Sequence, residues 1–278
     1  FDALVYAAIV AFFIKVFFFE AYRIPTGSME NTLLIGDFLI VTKFTYGSTT
    51  PRNIPFTDIR LPFVKLPGFK DPEPGDVVVF DYPGNQNELE SPVVMNYIKR
   101  CVGGPGDTIL IVNKVLYVNS QEFPKPPDML IRGQSSPEGQ SEVGIYPMGT
   151  DWNKDNYGPL AIPKEGDVIK VTPESYNNQW KMFIQREGHE TRLDGETILV
   201  DGTPLPNNEY TVERDYYFMM GDNRDNSSDS RYWGYVSDDD IVGEALVIYW
   251  SWDANIPFSR LGDLLGSIRW DRIGKVIH

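Results

Sequence analysis

Val93-Val94-Met95-Asn96-Tyr97-Ile98-Lys99-Arg100-Cys101-Val102, closed by Gly103-Gly104-Pro105-Gly106-Asp107, is the stretch from which the fold is read. A run of β-branched and aromatic residues ending in a glycine- and proline-rich turn is a strand followed by a reversal. Side chains alternate along a strand, so Tyr97, Lys99 and Cys101 share one face while Ile98, Arg100 and Val102 share the other. A lysine here either blunts an edge strand against aggregation or loses its hydration. Burial would disfavour the ammonium and lower its pKa towards that of a general base.

Outward from this strand the same pattern recurs. Asp76-Val77-Val78-Val79-Phe80 is an apolar run between Pro74-Gly75 and Pro83-Gly84. Strands are also expected at 37–44, 108–112, 114–118, 168–172, 181–186, 197–200, 216–220 and 241–252. Pro-Gly-Asp at 74–76 and 105–107, and Glu-Gly-Asp at 165–167, are turn chemistry, with no fixed-period repeat. The expected fold is mainly β: an antiparallel-sheet core with a β-rich, irregular subdomain inserted at 119–208. That insert is polar and rich in Pro, Asn, Gln and Glu, and it separates core halves at 20–118 and 209–278. Residues 45–70, with Ile54-Pro55-Phe56 and Leu61-Pro62-Phe63-Val64, read as edge or extended chain that is either core or in contact with a bilayer. Residues 261–277 set Arg269, Arg272 and Lys275 beside Leu, Ile and Trp, as a small amphipathic element at an interface would.

Composition bounds the function. The chain has 278 residues and a formal charge of −14, which argues against nucleic acid as a partner. Its one cysteine, Cys101, excludes an intrachain disulfide, and two distant histidines give no zinc cluster, so neither metal nor cofactor is expected. His189 and His278 are also poor bases for a Ser-His-Asp triad. Residues 1–19 are nearly all apolar, interrupted by Asp2 and Lys15. As a helix they would span ~28 Å, close to a hydrocarbon core. The alternatives are a signal peptide, which the bulky, charged Phe-Glu-Ala-Tyr-Arg that follows disfavours, or a buried helix. An N-terminal transmembrane anchor is therefore expected, and a first residue other than Met points to further sequence upstream.

Directly after it comes Ile24-Pro25-Thr26-Gly27-Ser28-Met29. Pro25 and Gly27 permit a sharp corner that exposes Ser28 as a nucleophile, whereas Ser28-Met29-Glu30 also reads as an N-cap opening a short helix. The stretch from Gly221-Asp222-Asn223-Arg224-Asp225-Asn226-Ser227 through Ser228-Asp229-Ser230-Arg231 reads three ways. It is a calcium loop, for which the EF-hand Gly and Glu are lacking, a plain polar turn, or a rigid loop held by internal ion pairs.

Taken together and in this order, these stretches, with Gly36-Asp37-Phe38-Leu39-Ile40-Val41-Thr42-Lys43-Phe44, resemble the signature boxes of the bacterial type I signal peptidases. The resemblance covers the anchor and both core halves. It implies a Ser/Lys dyad, with Ser28 as nucleophile and Lys99 as neutral base. It further implies an oxyanion hole from the Ser28 N–H and the Thr26 hydroxyl, where the family commonly has serine. By the same resemblance Ser227 orients Lys99, Asp229 and Arg231 brace the loop, and Ile24 and Ile98 line pockets for small side chains. The implied partners are exported preproteins, cut after small-x-small sites, and the lipid bilayer, with the catalytic domain on the outer face of the cytoplasmic membrane. The rival readings are a self-cleaving regulator of the LexA type and a membrane-tethered, non-catalytic β adaptor.

Overall fold

In the computed structural model residues 2–48, 64–91 and 95–278 are described. Its strands in chain order are β1 (Phe19–Arg23), β2 (Asp37–Thr42), β3 (Val77–Asp81), β4 (Asn96–Gly103), β5 (Thr108–Val112), β6 (Val115–Val118), β7 (Gln121–Glu122), β8 (Tyr157–Ala161), β9 (Val168–Lys170), β10 (Thr191–Asp194), β11 (Thr197–Val200), β12 (Thr203–Pro204), β13 (Glu209–Thr211), β14 (Tyr216–Met220), β15 (Val236–Ser237) and β16 (Ile241–Ser251). A helix, α1 (Asp2–Phe17), precedes them.

Seven strands form one antiparallel sheet in the order β1-β2-β16-β3-β4-β14-β15. Strands from before residue 104 and after 215 therefore interleave. β3 explains the sheet's layering. Val77 and Val79 enter a cluster with Met29, Leu39, Val41 and Ile248, while Val78 and Phe80 enter another with Cys101, Met219 and Trp233. An uninterrupted apolar strand needs cover on both faces, and β3 has it. The remaining strands form a four-stranded sheet β7-β6-β5-β8, a three-stranded sheet β10-β11-β12 and the pair β13-β9. They join the central sheet through one cluster in which Val102, Phe218 and Met220 meet Ile109, Leu160, Phe183 and Ile184. β5 and β6 lie before residue 119 in the chain, yet they belong to the four-stranded sheet.

Several expectations need correction. Residues 181–186 are a helix and not a strand. A capping box of Thr172 and Ser175 starts a helical run just upstream, and the run carries through to Arg186 with Phe183 and Ile184 buried. The 1–19 span is shorter as observed: α1 has 16 residues, and no helix among the described residues is long and apolar enough to cross a membrane. Sheet pairing takes over at its end. Phe18 N closes the last helical turn on Ile14 O, while Phe18 O already accepts from Lys43 N in the ladder that continues as β1 and β2. In the 261–277 element Arg272 faces inward, with Nη2 2.6 Å from the fully buried Asp37. A buried carboxylate requires such a partner, so this basic residue is not available to an interface. Leu261, Leu265 and Trp270 of the same element are exposed. Of the 45–70 stretch, 49–63, including Ile54 to Phe56, lie outside the described residues, as do 93 and 94 of the expected 93–102 strand.

Candidate active site

The ladder of β1 and β2 extends to Ile24, whose N–H donates to Asp37 O at 2.9 Å. Pro25 then removes the next donor and the chain turns away. Residues 28–32 form a turn in which Leu33 N donates to Met29 O at 2.7 Å. Met29 and Leu33 are fully buried and fasten the turn to the core, leaving Ser28 half-buried on its crest. Asn31 has φ of 75°, the left-handed region, which stops the turn from propagating into a helix. Ser28 is therefore not a helix cap.

Lys99 comes from the centre of the sheet, with β3 and β14 on either side of β4, so it is not an edge-strand lysine. It is 4% exposed. Its Nζ lies 2.7 Å from Ser28 Oγ and 3.0 Å from the Ile98 carbonyl oxygen, and it sits 5.2 Å from the Tyr97 ring centroid. Burial pushes its pKa down from 10.5 to about 8, against the opposing pull of the Asp229 and Asp222 charges. A neutral amine at this distance accepts the serine proton; an ammonium donates to the same oxygen.

The 221–231 loop closes on this pair. Asn223 N donates to Ser28 O at 3.0 Å, and Asn223 Nδ2 to Gly27 O at 2.9 Å. Asp229 and Arg231, both buried, form a two-pronged ion pair at 2.8 Å on each prong. Burial alone would raise the Asp229 carboxyl, but the Arg231 charge and hydrogen bonds hold it below the usual carboxylate range. Asp229 also accepts from Gly221 N at 3.1 Å, and Arg231 Nη2 donates to Arg224 O at 2.7 Å. The loop's carboxylates diverge: Asp222 faces Arg100, Asp225 faces Lys114 and Asp229 faces Arg231. That is an ion-paired brace and not a converging ligand set.

The other expected residues are placed as follows. Ile24 is buried and Ile98 half-buried, both against the cluster that holds Met29 and Val79. Thr26 is exposed in the Ser28 turn. Ser227 Oγ is buried beside the Asp229 carboxylate and makes no hydrogen bond to Lys99; it packs where a Cβ on Gly221 would fall. Four contributors escaped the sequence. Arg100 forks onto Asp222 at 2.8 and 2.7 Å, and Thr32 Oγ1 donates to the same carboxylate at 2.6 Å. Asn223 ties loop to turn. A strap from the insert adds Leu130 as a parallel bridge to Asn223, with Leu130 N donating to Asp222 O at 2.8 Å. The alternation of β4 held a signal for Arg100: on the inward face opposite Lys99 it needs a carboxylate. The strap left none, being a single bridge in a polar stretch.

The family model described as signal peptidase, peptidase S26, matches residues 1–250. A signal peptidase I of Pseudomonas aeruginosa is 35% identical over 267 residues, covering 90% of this chain and 72% of that protein. One from Pseudomonas fluorescens is 33% identical with the same coverage, and one from Helicobacter pylori is 29% identical over 97% of this chain and 89% of its own.

Proposed function

The chain belongs to the signal peptidase family, peptidase S26, and from that premise we propose a serine endopeptidase that removes signal peptides from exported preproteins, with Ser28 as nucleophile and Lys99 as base. The observation that carries the assignment is the 2.7 Å contact between a half-buried serine hydroxyl and a buried lysine amine, with no histidine at either. Neutral Lys99 takes the Ser28 proton as Oγ attacks the carbonyl carbon of the scissile bond. The oxyanion is received by the Ser28 N–H together with the Thr26 hydroxyl. Lys99 then passes its proton to the departing amine, leaving an acyl-serine. Water attacks the ester carbon, Lys99 takes its proton and returns it to Ser28 Oγ as the ester bond breaks, and the acid leaves with serine and neutral amine restored. Ser227 steadies Lys99 with its buried hydroxyl in this cycle, and the Asp229–Arg231 brace holds the loop. Ile24 and Ile98 restrict the seats before the cut to small side chains.

The same reading places the chain at the bacterial cytoplasmic membrane with its catalytic domain outside. It is supported by the apolar α1, by exposed Val5, Tyr6 and Ile14 on that helix, and by exposed Phe258, Leu261, Leu265 and Trp270. A non-catalytic adaptor would have no need for a buried amine in hydrogen-bond contact with a serine.

The test uses the detergent-solubilised chain and a preprotein with a small-x-small site, with sequencing of the new N-terminus. Cleavage by the wild type and its loss, by at least about a thousandfold, in Ser28→Ala and Lys99→Ala is expected. Undiminished cleavage by either variant overturns the dyad.

A further inference from the structure

An ion pair stands beside the nucleophile's turn, and the hydrolytic steps do not use it. Glu30, two residues after Ser28, accepts from Asn223 Nδ2 at 3.0 Å and from Arg132 Nη2 at 3.3 Å. Its Oε2 is 4.0 Å from where a Cβ on Gly27 would lie, so the carboxylate sits against the residue preceding Ser28. Arg132 comes from the insert. Its backbone is pinned: Arg132 N donates to Asp225 at 2.6 Å, and Leu130 bridges to Asn223. Its guanidinium is not. The side chain is 60% exposed and spends one hydrogen bond on Glu30, of the five N–H groups a guanidinium carries. An ion pair this exposed contributes little to stability. A firmly held backbone presenting a loosely engaged cation next to the nucleophile is the arrangement of an anion receptor.

We propose that Arg132 reads charge on the segment that follows the cut, its unused N–H groups taking an aspartate or glutamate side chain among the first residues of the mature chain. This rests on Ser28 being the nucleophile. Ile24 and Ile98 occupy the flank where small residues before the cut are seated. Glu30, Asn223 and Arg132 lie together where the strap from the insert meets the Ser28 turn, and on this proposal they serve the strand that departs after the cut. Glu30 is then the resident competitor for the guanidinium, kept in place when no acid arrives by its second bond to Asn223. The receptor matters because the chain's formal charge of −14 repels acidic segments at long range. A local fork of donors offsets that repulsion where the bond is cut.

The solubilised full chain is assayed on preproteins that differ only in the second residue after the cut, Glu or Gln, and the ratio of their kcat/KM values is read. The wild type favours Glu by about threefold, the scale of an exposed ion pair, and the preference fades at ~0.5 M salt. Arg132→Gln brings the ratio close to one, and Arg132→Lys restores part of it. Glu30→Gln moves the ratio the other way, above the wild type, because the competing carboxylate is gone. Opposite shifts from the two halves of one ion pair are what a merely structural pair does not produce. Shifts in the same direction, or a ratio near one in the wild type, overturn the inference and leave the peptidase reading standing. A wild type that cleaves neither preprotein overturns both.

Discussion

Lys99 is the residue whose physics decides the chemistry. In water its ammonium would persist through neutral pH and could accept no proton. Buried between β3 and β14, it loses hydration that the more distant Asp229 and Asp222 charges do not fully replace, and its pKa falls to about 8. A depressed lysine pKa means that the neutral, working form fills as pH rises through that value and is lost as pH falls through it. We therefore expect kcat/KM on a fixed preprotein to show an acid limb near pH 8, falling about tenfold per pH unit below it. A limb in the carboxylate range, or a profile flat between mildly acidic and alkaline pH, would show that Lys99 is not the base. Ser28 and Lys99 were both legible as residue types. What the sequence left open for each, helix cap or nucleophile and edge lysine or base, turned on burial and on contacts across 71 residues of chain.

The 221–231 loop makes a different point at the level of elements. Its Asp, Asn, Ser and Arg content gave a self-bracing loop as one of three readings, and the Asp229–Arg231 pair lies within it. Its contact with the serine turn depends on Gly221, where an added Cβ would come 2.3 Å from Ser227 Oγ and 2.5 Å from the Ser28 carbonyl oxygen. The second of those neighbours is backbone and cannot swing aside. Gly221→Ala therefore displaces Ser28 by a few tenths of an ångström or more while leaving the sheet intact. We expect kcat to fall by at least about tenfold, with far-ultraviolet circular dichroism unchanged. Wild-type kcat in this variant would mean that loop and turn are not coupled. The helix at residues 181–186 shows the opposite limit. Six residues with an apolar run at Met182-Phe183-Ile184 fit either structure, and the capping box that decides the matter lies upstream in a segment with no helical period of its own.

Across the whole molecule, the insert and the central sheet share one buried cluster, in which Phe218 and Met220 of β14 pack with Ile109, Leu160 and Phe183. A core continuous across both parts ties their stabilities together. The β-sheet portion should unfold in denaturant as one transition, with tryptophan fluorescence and far-ultraviolet circular dichroism coincident. Phe218→Ala should lower the midpoint for both probes together, by about 3–5 kcal/mol of stability. Two separated transitions would show that the insert folds on its own. The strap that carries Arg132 adds a second coupling, this time from the insert to the catalytic loop.

The amino-acid sequence by itself determined the antiparallel β character, the paired serine and lysine as candidates, and a charged loop able to brace itself. Each is written in local period, turn chemistry or composition, which act over a few residues. Only the tertiary structure decided that Lys99 is central in the sheet and reaches Ser28, that Arg100 and Arg272 turn inward to buried carboxylates, and that the insert straps the loop. Those outcomes depend on which distant strands become neighbours. Burial and charge pairing arise between residues more than seventy positions apart, and no local pattern encodes such partners.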